Sequence, residues 1–141
     1  MLTFYGVLLT SSPAAYDTIT SHLKCRNMTI NDFDLILTGD LGYVGSDILC
    51  DLFLKDGIDI SAVHNDCGKM IYDKEQQDVH SGGSGCGCSA SVLCAVILDK
   101  IKNGELKNVL FAATGALMST TMVQQGESIP GISHAVHISA E

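Results

Sequence analysis

Apolar residues fall along this chain in two rhythms. Short runs, FDLILTG (Phe33–Gly39) and NVLFAATG (Asn108–Gly115), read as buried strands, and ISHAVHIS (Ile132–Ser139) as a final strand. Longer stretches repeat at helical spacing. From Gly42 to Lys55, Val44, Ile48, Leu49, Leu52 and Phe53 mark a helix. Ser11-Ser12-Pro13 reads as a helix start, with Ser12 as cap and Pro13 in the first turn, where its missing N–H costs nothing. That helix is expected to run to about Arg26, with Ala14, Ile19 and Leu23 on one face. A third spans about Cys88 to Asn103 and is stopped by Gly104. Ile58 to Gln77 is polar, acidic and without period, and the glycine-punctuated MVQQGESIPG reads as a loop. Helices alternating with apolar strands give an α/β class.

In the third helix, Val92, Leu93, Ala95, Val96, Ile97 and Leu98 point in nearly every direction. An all-round apolar helix is expected to be buried on all sides. Three or four strands hardly supply a sheet on each side of it, so a partner or a larger architecture is implied.

The 141 residues fit a single domain, and 46% hydrophobic against 17% charged residues exclude a disordered chain. A formal net charge of −8 argues against nucleic acid and against unaided adsorption to anionic lipid. No apolar run approaches the roughly 20 residues of a membrane span, and Met1–Leu9 lacks the basic region of a signal peptide. The six cysteines are read as free, largely buried thiols in a reducing, intracellular compartment.

The chemistry concentrates in HSGGSGCGCSASVLC (His80–Cys94). Glycines ahead of a helix can aim backbone N–H groups at an anion, but the P-loop pattern is missing and the loop holds no lysine or arginine, which speaks against a nucleotide phosphate; a small carboxylate fits the same physics. Zinc on Cys86 and Cys88 with His80 or Cys67 lacks the second Cys pair of structural sites. Thiol catalysis by Cys86 or Cys88 with His80 as base competes with simple tight packing. His22 is expected to be an exposed helical residue, His64 part of the irregular segment, and His134 and His137 to face opposite sides of a strand.

These pieces together resemble the C-terminal half of the thiolase fold. Tyr5–Ile19, Phe33–Val44, the loop Gly83–Ala90 and Ala113–Ala116 stand where that family has its Met-Gly-x-Gly-Pro, Asn-Glu-Ala-Phe, Gly-His-Pro and Cys-x-Gly-Gly segments. Where the enzymes carry Asn, His and Cys, this chain has Gly39, Ser84 and Ala113, so the resemblance implies loss of thiolase chemistry. LILTGDLGYVGSDIL, QQDVHSGGSGCGCSA and LFAATGALMSTTMVQQGESIPGISHAV resemble one branch, the SpoVAD family. That resemblance implies one thiolase-like C-terminal domain over residues 1–141, a mixed sheet with helices packed on it, and an N-terminal half that this chain lacks. It further implies a non-catalytic protein that binds dipicolinic acid (pyridine-2,6-dicarboxylate) or its calcium chelate. Such a protein acts with other SpoVA proteins to move the solute into the developing spore, and lies at the spore's inner membrane through its partners. Asp40, His80, Gly83, Ser84, Gly85, Cys86 and Ser89 are the expected ligand-binding residues. Asp40 has capping of the Gly42 helix as its structural alternative. An exposed apolar face should pair this half with a copy of itself or with the missing half. An acyltransferase using Cys86 or Cys88 with His80, and a scaffold with a vestigial pocket, are the competing functions.

Overall fold

The computed structural model describes residues 2–116 and 119–140. Helix α1 (Leu2–Arg26) is followed by a 3-10 turn (Ile30–Asp32), strand β1 (Leu35–Thr38) and helix α2 (Gly42–Lys55). Strand β2 (His64–Asp66) leads directly into the short helix α3 (Cys67–Met70). Helix α4 (Cys88–Val92) continues through a π-helical turn (Leu93–Ile97) into α5 (Leu98–Lys102). Strand β3 (Asn108–Ala116), helix α6 (Thr120–Gln124) and strand β4 (Gly131–Ser139) complete the described elements. The sheet is mixed, in the order β2-β1-β3-β4, with β1 parallel to both neighbours and β4 antiparallel to β3. The α/β class and the three apolar strands are as the sequence pattern predicts.

Alternate residues of the strands feed two cores. Ile36, Leu110 and Ala112 face α1 and α2, packing with Ala15, Ile19, Leu49 and Phe53. Leu37 and Val109 face the opposite way, onto Cys67, Cys88, Val92 and Ile97. At the α1–α2 contact small residues allow a close approach, and the buried Ser12 hydroxyl donates to the Gly45 carbonyl at 2.9 Å.

Three expectations are corrected, and a fourth, that the apolar helix needs a covering layer this chain does not supply, agrees with the structure. The Ser12–Pro13 helix start is not where α1 begins: Pro13 lies inside the helix, and Ser12 bonds to α2 instead of capping. The stretch expected to be irregular contains β2, whose side chains are polar because they enter a hydrogen-bond network. His22 is half-buried, with its ring against His137 and Phe33, and burial lowers its pKa. The apolar helix is covered on one side only. The π turn takes one residue more than an α turn, so Val92 and Ile97, five apart, both point into the core. Cys94, Ala95 and Val96 are left on the surface.

A second uncovered apolar area lies on β4, where Ile132 and Val136 are 56% and 57% exposed. His134 is exposed beside them, whereas His137 is half-buried toward α1, so the two histidines do face opposite sides.

Candidate functional site

The parallel strands bring their C-terminal ends together, the place where open α/β sheets form binding crevices. Two aspartates stand there. Asp66 ends β2 and is fully buried. Its Oδ1 accepts from the amides of Gly42 and Gly68, both at 2.8 Å. Its Oδ2 accepts from the Leu41 amide at 3.0 Å and from the Thr38 hydroxyl at 2.6 Å. One carboxylate thereby joins the end of β1, the start of α2 and the start of α3. Burial pushes its pKa up, and these four hydrogen bonds oppose that push.

The network continues through Thr38, whose hydroxyl lies 3.1 Å from His64 Nε2. His64 Nδ1 faces Ser46 Oγ at 3.4 Å and Cys50 Sγ at 3.7 Å. Burial holds the imidazole pKa down at about 4, and the nearby Lys69 charge acts in the same sense. Burial raises the Cys50 thiol. Both groups are therefore neutral near pH 7, which is not the thiolate–imidazolium state of a catalytic pair.

The loop 80–87 lies against this frame. The Tyr43 amide donates to the Ser81 carbonyl and the Gly83 amide to the Gly68 carbonyl, each at 2.7 Å. Gly42 has φ +65, and a Cβ there would sit 2.0 Å from the Ser81 oxygen, so only glycine fits this crossing.

Asp40, just past β1, is half-buried. Its Oδ1 accepts from the Thr114 hydroxyl of β3 at 2.9 Å. Its Oδ2 accepts from the Gly85 amide at 3.2 Å and the Ser84 hydroxyl at 3.4 Å. A Cβ on Gly39 would lie 3.2 Å from the Thr114 nitrogen, 3.3 Å from the Ala113 Cα and 3.4 Å from the Ser89 Cβ. The segments around Gly39, Ser84–Ser89 and Ala113 therefore lie together.

Asp40 does not cap α2, where Leu41 is the N-cap; the Asp66 carboxylate takes the first amides of that helix instead. Gly83 is buried and its amide is already taken by Gly68. Ser84, Gly85 and Cys86 are exposed, and Ser89 is half-buried. His80 stands apart from the Asp40 cluster's hydrogen bonds: its ring pairs with Asp78 at 3.5 Å, with both side chains almost wholly in solvent. Three cysteines, Cys25, Cys86 and Cys94, are exposed, so the thiols are less uniformly buried than expected, and all six are free. Cys67 and Cys88 share a core, and burial pushes the Cys67 thiol up to about 12. Among the described residues no three His, Cys, Asp or Glu side chains converge as metal ligands.

A cavity of about 460 Å³ lies at the other end of the sheet, between Leu23, Met28, Ile30 and Ile58. A shallow one of about 500 Å³, lined by Gly115, Ala116, Pro130, Gly131 and Ile132, lies next to Thr114. Sequence reasoning missed Asp66 and Thr114. Asp66 is hidden in a polar stretch, whereas Thr114 could have been found as the polar interruption of an apolar strand beside the expected site.

The sequence profile of one family, stage V sporulation protein AD, matches residues 8–139. The chain belongs to the SpoVAD family. It is similar to the stage V sporulation protein AD of Bacillus subtilis (strain 168), with 51% identity over 125 residues. That alignment covers 89% of this chain and 37% of the relative, so the chain spans little more than a third of that protein's length. A partial thiolase-like fold agrees with the mixed four-stranded sheet and its packed helices. All three signature stretches fall within the SpoVAD match; Leu117 and Met118 of the third lie outside the described residues. No described helix is long and apolar enough to cross a membrane.

Proposed function

We propose that this SpoVAD-family chain is a non-catalytic binding module for dipicolinic acid, taken as its calcium chelate at the Asp40 cluster. The observation that carries this reading is the state of Asp40. Its carboxylate is half-exposed and engages Ser84, Gly85 and Thr114, the donors that an incoming carboxylate would otherwise use. A bare dianion would be repelled by it. A calcium ion turns that repulsion into a bridge, since Ca²⁺ takes roughly six to eight oxygen ligands and accepts carboxylate and hydroxyl oxygens alike. Asp40, Ser84 and Thr114 supply part of such a set, and the ligand's own carboxylates supply more. Ser89 and Cys86 line the approach, Gly85 keeps the loop open, and His80 stands at the outer end, where its ring can meet a carboxylate.

Absence of catalysis rests on side-chain chemistry. Gly39, Ser84 and Ala113 occupy the positions where thiolase-like enzymes hold their reacting groups, and Cys88 is a buried thiol whose pKa burial raises. An acyltransferase reading has one observation in its favour, the exposed Cys86 in the loop. Rapid alkylation of Cys86 at neutral pH would support it, whereas the binding module reacts at an ordinary thiol rate.

The role is assistance of dipicolinate uptake into the developing spore, together with other SpoVA proteins that hold the module at the inner membrane. Two exposed apolar areas, Val96 on the helix and Ile132 with Val136 on β4, are the surfaces that pair with the rest of a full-length SpoVAD-type chain or with a second copy.

Calorimetric titration with dipicolinate, with and without calcium, tests this reading. Saturable, calcium-dependent heat that disappears in Ser84→Leu is the expected result; heat unchanged in that variant, or none in the wild type, overturns it for this chain.

A further inference from the structure

A second feature lies beside the loop. Tyr43, three residues after Asp40, has its ring edge against Gly82, so it forms the rim of the 80–87 loop. Two ammonium groups converge on that ring, Lys74 Nζ at 4.4 Å from its centroid and Lys69 Nζ at 5.9 Å. Lys69 is half-buried and donates to Ser46 Oγ at 3.4 Å. The chain carries eight basic residues against sixteen acidic ones, yet neither lysine is in an ion pair among the described residues. The neighbouring acid, Asp73, is turned onto its own loop, accepting from the amides of Glu75 and Gln76. Two cations without counter-ions in an acidic protein, held by one aromatic ring, form a local positive field at the edge of the site.

We infer that Lys69, Lys74 and Tyr43 form a capture station for a small dicarboxylate. This rests on the dipicolinate reading and adds its first step. An anion approaching a surface of net charge −8 is repelled on average, so a local positive patch at the entrance raises its concentration where Asp40 alone would lower it. The cation–π contacts fix the ammonium groups without neutralising them, which leaves both charges for the ligand. Lys74 is exposed and its charge is screened by salt, so capture weakens as ionic strength rises.

Amide-resolved NMR of the whole chain separates the two positions. The probes are dipicolinate and benzene-1,3-dicarboxylate, which has the same two carboxylates but no ring nitrogen to chelate calcium. Without calcium, both are expected to shift Tyr43 and Lys69 saturably, and Lys69→Gln/Lys74→Gln is expected to weaken this by about five-fold. With calcium, dipicolinate alone is expected to shift Gly85 and Thr114 as well. Movement at Gly85 with none at Tyr43 leaves the loop reading standing and overturns the capture station. Movement at Tyr43 with none at Gly85 does the reverse. Shifts at Tyr43 that the double variant leaves unchanged also overturn the station, and unmoved amides elsewhere in the variant show that it is folded.

Discussion

Asp66 and Asp40 are the same residue type at the ends of neighbouring strands, and they do opposite things. Asp66 is fully buried and accepts four hydrogen bonds, three from backbone amides. Asp40 is half-exposed, and two of its three bonds are 3.2 Å or longer. A carboxylate whose lone pairs are filled by backbone donors out of water's reach is part of the frame. One that keeps solvent access and weak partners can exchange them for a ligand. Burial and donor quality, rather than residue type, separate structure from function at this edge of the sheet.

The largest expected effect comes from breaking the frame. Asp66→Asn replaces one acceptor oxygen by an NH2 group that faces N–H donors. It should lower stability by about 3–5 kcal/mol, read from the urea midpoint. A loss below about 1 kcal/mol would remove the distinction from Asp40.

Next in size is a pH effect at His64, bonded to the frame through Thr38. Its folded pKa, about 4, lies below the ordinary imidazole value of 6.5. The unfolded chain therefore binds the extra proton first. Stability is full above about pH 6.5, falls as pH drops toward 4, and levels off below. The loss is on the order of 2 kcal/mol after allowance for partial solvent access. His64→Gln should flatten this segment of the stability–pH curve, and an unchanged slope would assign it to other groups.

The smallest effect on stability is expected from Asp40→Asn, under about 1 kcal/mol by thermal denaturation. The same variant should abolish the calcium dependence of dipicolinate binding. A large loss of stability would make Asp40 a second frame residue.

The contrast also explains what was legible in the sequence. Strands β1 and β3 are short apolar runs, β4 alternates apolar with polar residues and α2 is a clear helical repeat, so these elements could be read. Strand β2 was not legible, because His64-Asn65-Asp66 is buried through hydrogen bonds and has no apolar signature. The π turn was hidden because a run apolar in every direction contains no period to read. Ser12-Pro13 is a local start signal overridden by a longer helix. Asp40 had two readings, ligand contact or cap. Only the position of Asp66, 26 residues later, assigns the cap elsewhere.

Hydrogen exchange at single amides tests the central claim most directly. The amides of Leu41, Gly42 and Gly68 should be strongly protected with or without ligand, since Asp66 holds them. The Gly85 amide should exchange fast in the free chain and slow down when dipicolinate and calcium are added. Gly85 exchange unchanged at saturating ligand, or frame amides as fast as Gly85, would contradict the account.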